Sequence, residues 1–341
     1  MYVGSVRDLA ADGSLYDYAF PPTGAPFTYP PFAGLLLSPL APLNLDVVMV
    51  SWMVATVVGV VTLAVLLAKV PGLPDVLPPA LRAPAVALLL FLSSPIGSNL
   101  RFGQISFFVV LAVLVDCLRI VPPRYAGVAT GIAAAVKLTP LIFIPYFWIS
   151  GQRRAAVAAT GTFAVCTGLA WAILPGDSAR FWGTELFDVD GMGFIAIGGN
   201  QSLNGAMLRL HHPDAARTAV LATVGVAIVV LALIRAARAW RNNQPLAAAV
   251  MVGAAGLVFS PVSWTHHQLW LVFAALVPVS RRRSWNLGWA ALVSAIMILP
   301  VTSVGASLPG GVVFGNAHLL LAVAVATVVP FFGSRLRSCT V

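Results

Sequence analysis

From Val47 to Ala68 the chain runs 22 residues without a charged side chain. A helix of that length rises about 33 Å, enough to cross the ~30 Å hydrocarbon core of a bilayer. Comparable apolar runs recur at about 156 to 174, 215 to 236, 285 to 303 and 316 to 333, and the first run extends over 46 to 68. Shorter ones lie at 84 to 97, 104 to 118, 126 to 136, 138 to 149, 246 to 260 and 266 to 279. Backbone groups in hydrocarbon must be bonded within the protein, so this pattern predicts an all-α, polytopic membrane protein of about eleven segments in one domain. The short segments are expected to be tilted, broken or shielded by neighbours. A break is expected at Lys137-Leu-Thr-Pro140, because Pro140 removes a helix donor and disfavours helix at Thr139. Composition excludes a soluble enzyme: 59% of residues are hydrophobic and 9% charged, with a mean hydropathy of +0.92, whereas soluble domains carry about 25% charged residues.

The net charge of +9 then speaks to orientation rather than to nucleic acid, since Lys and Arg accumulate in cytoplasmic loops. Placing the loops at 69 to 82, 119 to 125, 150 to 155, 235 to 245 and 280 to 284, and the tail after 333, inside the cell puts 14 of the 20 basic residues there. Nine of the 11 acids then fall outside, with the two longest loops, 1 to 45 and 175 to 214. Those loops are expected to form the working surface. The second carries Phe181, Trp182, Leu186, Phe187, Met192 and Phe194; the first interleaves Tyr16, Tyr18, Phe20, Phe27, Tyr29 and Phe32 with Pro21, Pro22, Pro26, Pro30 and Pro31. Both compositions suit a cover over a cavity, and both equally suit an aromatic belt at the membrane interface. Cys117, Cys166 and Cys339 offer neither a disulfide framework nor a zinc spacing. No signal peptide or amino-terminal anchor is read in residues 1 to 15.

Polar groups inside apolar segments are the next signal. Lys137 follows Ala133-Ala-Ala-Val, where a charge costs roughly 2.5 to 3.5 kcal/mol unless paired or hydrated. It is expected to face a cavity that holds an anion, or else to reach an interface. His266 and His267 can exchange protons or meet a phosphate, or simply cap a helix at the boundary. Asn200, Gln201 and Asn204 suit a hydroxyl-rich ligand such as a sugar, and suit turns and caps as well. Arg101 and Gln104 form another polar pair on the acidic outer side. No metal site is read.

Five separated stretches carry a resemblance: Phe27-Thr-Tyr-Pro-Pro-Phe32, Gly103-Gln104 opening a helix that ends in Asp116, Ala135-Val-Lys137-Leu-Thr-Pro140, Asn200-Gln-Ser-Leu-Asn204-Gly, and Ser260-Pro-Val-Ser-Trp-Thr-His-His267. In this order they resemble glycosyltransferase family 87, of the GT-C class. The resemblance implies a membrane enzyme moving a sugar, mannose through an α-1,2 linkage, from a polyprenyl-phosphate donor to a lipid-linked glycan on the outer face of the plasma membrane, in lipoglycan assembly. Arabinofuranose on the same scaffold is the alternative, and a transporter or non-catalytic remnant is the rival of another class. No cofactor, metal or nucleic acid is implied. Under this reading Lys137, Arg101 and Gln104 bind the donor phosphate, Tyr29, Asn200, Gln201 and Asn204 bind sugar or acceptor, and His266 and His267 serve the reaction. Lys137, Arg101 and His267 are expected to converge on one phosphate. The resemblance also implies a general-base Asp in an Asp-Leu-x-Val-Tyr motif after a first transmembrane helix. Here Met1 stands where the Val of that motif belongs, so the base is expected upstream, and the 341-residue form alone is expected not to transfer sugar.

Overall fold

The computed structural model describes residues 1–21, 24–70, 76–188, 195–305, 307 and 310–332. Pro22, Asp190, Met192, Phe194, Cys339 and the tail after 333 lie outside them. The described chain is mostly helical. Its principal helices are α1 (Tyr2–Ala10), α2 (Pro31–Leu37), α3 (Leu45–Leu67), α4 (Pro79–Leu92), α5 (Ser94–Phe102), α6 (Ser106–Cys117) and α7 (Val128–Val136). There follow α8 (Thr139–Ile149), α9 (Arg153–Ile173), α10 (Pro175–Arg180), α11 (Leu203–Arg209), α12 (Asp214–Arg241), α13 (Pro245–Phe259), α14 (Leu269–Ala274), α15 (Arg283–Ile298) and α16 (Ala317–Thr327). One pair of two-residue strands, Ala19–Phe20 and Ala25–Pro26, closes a small hairpin.

Among the described residues three helices, α3, α9 and α12, are long and apolar enough to cross a membrane, and α4 with α5 makes a fourth if that pair, bent by 63°, is one span. The bend sits at Ser93, whose extended backbone precedes Pro95 in the first turn of α5, the position where proline is tolerated. Along α3 the valines at 47, 50, 54, 57, 58, 61 and 65 are exposed, as a lipid-facing surface requires. Apolar helices of 10 to 17 residues account for other segments, α6, α8, α13 and α16 among them. The break expected at Lys137-Leu-Thr-Pro140 is present, with the backbone turning at Lys137 rather than at Thr139. Lys137 itself is extended (φ −151°, ψ 125°), and Pro140 lies in the first turn of the next helix, where its missing N–H costs nothing.

The chain divides into two compact units. The first comprises Met1–Ala55, Phe108–Trp148 and Gln152–Ile197. Its centre is the pairing of α7 with α9, made close by small residues. A Cβ at Gly127 would stand 2.0 Å from the Ala155 carbonyl oxygen, and one at Gly131 would stand 2.6 Å from that of Ala159. Two glycines four apart facing two alanines four apart is how apolar helices approach without a hydrophobic drive between them. Asp116, buried at the end of α6, closes the start of α7: its carboxylate accepts from Gly127 N (2.8 Å), Thr130 N (2.7 Å) and Thr130 Oγ1 (2.8 Å). The two amides are among those a helix start leaves unpaired.

The second unit comprises Thr56–Phe107, Ile149–Gly151 and Gly198–Val341. Its core helix is α13, rich in alanine and glycine and buried along nearly its whole length, as expected of a helix that is apolar all round. A Cβ at Gly253 would meet the Trp270 ring at 2.2 Å, so α14 packs on α13 through that glycine. Arg235 of α12 donates to the carbonyls of Val325 (3.1 Å), Ala326 (2.7 Å) and Val329, closing the carboxyl end of α16 with the charge that end favours.

Candidate functional site

In the first unit the two long loops meet. Far from being irregular, the 175 to 188 stretch begins with α10 and continues as a wide turn over Phe181–Glu185. Asp177, buried in α10, accepts from Ser14 Oγ (2.6 Å) and Leu15 N (3.0 Å). Arg180, one turn later, donates to Asp17 Oδ1 (2.5 Å), Glu185 Oε1 (2.8 Å) and the Tyr16 carbonyl (3.2 Å). Its guanidinium lies 5.7 Å from the Tyr16 ring centre. Residues 14–17 are thus clasped to α10 from two sides.

That clasp positions an aromatic cluster. The Tyr16 ring stacks on Phe181 with centres 5.9 Å apart, and its hydroxyl donates to the Tyr29 carbonyl (2.9 Å). Tyr2 donates its hydroxyl to that of Tyr29 (2.8 Å), and Phe27 contacts the Tyr2, Tyr16 and Tyr29 rings. Burial pushes both phenols up, Tyr29 to about 12, while the Tyr2 hydroxyl pulls the other way on Tyr29. For Tyr16 the neighbouring carboxylates Asp177 and Glu185 add to the rise. Both therefore remain neutral hydroxyls. The Lys137 ammonium sits 5.1 Å from the centre of the Tyr29 ring, a cation–π distance. Lys137 and Tyr29, read separately from the sequence, are neighbours, and the extended backbone at Lys137 lets its side chain leave the helix ladder.

The second unit gathers the other residues. Asn99 of α5 donates to the carbonyls of Pro95 (2.8 Å) and His266 (3.0 Å) and accepts from Phe107 N (3.0 Å), so one buried side chain ties α5 to the histidine segment. His266 is buried, with Nδ1 3.5 Å from Ser98 Oγ. His267 Nδ1 accepts from Trp264 N (3.2 Å), which leaves Nε2 to carry the proton of the neutral ring. The two imidazoles meet edge to face at 4.4 Å. Arg101, exposed in the last turn of α5, and Gln104 follow directly; between them Gly103 takes the left-handed conformation (φ 57°) that ends the helix.

The carboxamides lie in the same unit, bonded largely to backbone. Asn200 Oδ1 accepts from Ser202 Oγ (2.9 Å) and Ser263 N (2.9 Å). Gln201 donates to the carbonyls of Gly198 and Gly315 (2.7 Å each) and accepts from Leu319 N (3.2 Å). Asn204 donates to the Pro261 carbonyl (3.2 Å). These amides hold the Ser260–His267 segment and the start of α16 in place. Lys137 and Tyr29 thus stand in one unit, and Arg101, Gln104, His266, His267, Asn200, Gln201 and Asn204 in the other. Asp177, Arg180 and Asn99 were not singled out from the sequence. Their partners lie 163 and 167 residues away, and no local pattern announces such pairs. Among the described residues no group of three or more His, Cys, Asp or Glu is placed to hold a metal.

The profile described as Glycosyltransferase family 87 matches residues 27–261. A Mycobacterium tuberculosis polyprenol-phosphate-mannose-dependent alpha-(1-2)-phosphatidylinositol mannoside mannosyltransferase is 33% identical over 286 residues, 80% of this chain and 67% of that protein. A Mycolicibacterium smegmatis polyprenol-phosphate-mannose-dependent alpha-(1-2)-phosphatidylinositol pentamannoside mannosyltransferase is 31% identical over 88% of this chain and 74% of its own length. A second protein of that species, with the same description as the M. tuberculosis one, is 31% identical over 86% and 71% respectively. No solved structure matches.

Proposed function

Because the chain belongs to glycosyltransferase family 87, and is therefore a membrane glycosyltransferase, we propose that it moves mannose from a polyprenyl-phosphate donor onto a phosphatidylinositol mannoside through an α-1,2 linkage. The similarity to three enzymes so described, each across at least four fifths of this chain, carries the reading. In it the chain makes about eleven membrane passes, with the aromatic first loop and the 175 to 214 stretch on the outer face of the plasma membrane. The asymmetry of 14 basic residues supports that orientation.

A lipid-phosphate donor needs charge balance at the departing phosphate and no nucleotide site. Lys137 meets that need. Its ammonium, resting on the Tyr29 face, balances the charge that develops on the leaving oxygen, while the Tyr29 hydroxyl, bonded to that of Tyr2, offers a polar contact. Within the second unit, His267 has Nε2 as a hydrogen-bond donor and the exposed Arg101 supplies a fixed positive charge. Asn200, Gln201 and Asn204 act in this reading by shaping the segment that carries the histidines.

Deleting the gene and profiling the phosphatidylinositol mannosides by mass spectrometry tests the proposal. Species one hexose larger than the acceptor should disappear, return with the wild-type gene, and be cleaved by an α-1,2-mannosidase. An unchanged profile would reject the acceptor, and a lost pentose rather than hexose would replace mannose with arabinose.

A further inference from the structure

Between Ala215 and Val341 the sequence contains nine arginines and no Asp or Glu. The last acid before that stretch, Asp214, is bonded to Arg217 at 2.6 Å. Arg235 is engaged by the carbonyls that end α16. Arg281, Arg282 and Arg283 have neither kind of partner: all three are exposed, and among the described residues none makes an ion pair. Their backbone is nonetheless fixed. Asn286 Oδ1 accepts from Val279 N (3.0 Å) and Ser280 N (2.9 Å), its Nδ2 donates to the Ser280 carbonyl (3.0 Å), and Arg282 N donates to Ser280 Oγ (3.2 Å). Nor do the arginines serve α15, which Arg281 and Arg282 precede and Arg283 begins, with no acidic residue in its first turn; cations are disfavoured at that end of a helix. Immediately beyond stand Trp285, 64% exposed, and, two turns on along the same side of α15, the exposed Leu292, an apolar stripe beginning with an indole of the kind that settles at headgroup level.

Three consecutive unpaired arginines on a fixed turn, next to an exposed tryptophan and the exposed apolar side of α15, match an anionic phospholipid, its phosphate on the arginines and its acyl chains along α15. We propose that the Ser280–Asn286 turn is a binding site for the headgroup of an anionic membrane phospholipid, separate from the sugar-transfer chemistry. Guanidinium recognises phosphate through paired N–H donors, and each basic residue near such a surface adds to the attraction.

The purified full chain would be titrated in detergent with phosphatidylglycerol or phosphatidylcholine and the retained lipid counted by native mass spectrometry. Wild type should retain phosphatidylglycerol in preference. R281Q/R282Q/R283Q should weaken that preference on the order of tenfold, R281K/R282K/R283K should restore much of it, and millimolar inorganic phosphate should not compete. Equal retention of the two lipids by wild type overturns the proposal, even where the glutamine variant fails to accumulate. An unchanged preference in a folded glutamine variant overturns it too, leaving the arginines as topology determinants alone, and displacement by inorganic phosphate overturns the lipid as the source.

Discussion

At the scale of single residues, the first loop is held by charges whose partners are far away in sequence. Asp177 is the clearest case, since its carboxylate satisfies the Ser14 hydroxyl and the Leu15 amide in a buried setting. Asp177→Ala leaves those donors unsatisfied, at a cost of about 1–3 kcal/mol. Hydrogen exchange at residues 14–17 should accelerate by roughly tenfold or more, while exchange in α13 stays as it was; unchanged protection at Leu15 would show that the clasp is not what orders the loop. The sequence made Lys137 and Tyr29 visible because each breaks a rule, a charge in an apolar run and an aromatic amid prolines. It left Asp177 and Arg180 unremarked, because acids and arginines in a loop break none. The carboxamides at 200, 201 and 204 were visible as polar residues, but their bonding to backbone depends on folded partners as distant as Gly315.

Helices were legible where length and composition both exceed what a soluble core uses. α3, α9 and α12 lie within a few residues of the runs read at 46, 156 and 215. The run from 84 to 97 hid a bend, because Ser93 and Pro95 interrupt the helix without interrupting its apolar character. The close approach of α7 and α9 was likewise hidden, since Gly127, Gly131, Ala155 and Ala159 matter only once placed face to face. That contact predicts a steep size dependence. Gly131→Leu drives a side chain into the α9 backbone and should destabilise by about 2 kcal/mol or more, whereas Gly161→Leu, with open space around it, should be mild. Detergent-solubilised variants compared by thermal unfolding would show it, and equal midpoints for the two would contradict the packing.

The whole molecule is a helical membrane glycosyltransferase of family 87, and the orientation proposed for it rests on the distribution of charge. An impermeant thiol reagent applied to intact cells should label a cysteine at Thr184, which is exposed, and spare one at Ser284; Ser178 would be a poor probe because it is buried. Labelling at 284 alone would invert the assignment. The proposed chemistry rests on a lipid-phosphate donor meeting Lys137. Membranes from cells carrying the gene in its genomic context, wild type or Lys137→Met, would be supplied with polyprenyl-phosphate [14C]mannose and phosphatidylinositol mannoside, and transfer would be normalised to protein abundance. The account predicts transfer from the polyprenyl donor by wild type and at least a tenfold loss in Lys137→Met at equal abundance. Equal transfer by both, or transfer by wild type from a nucleotide sugar alone, would contradict it.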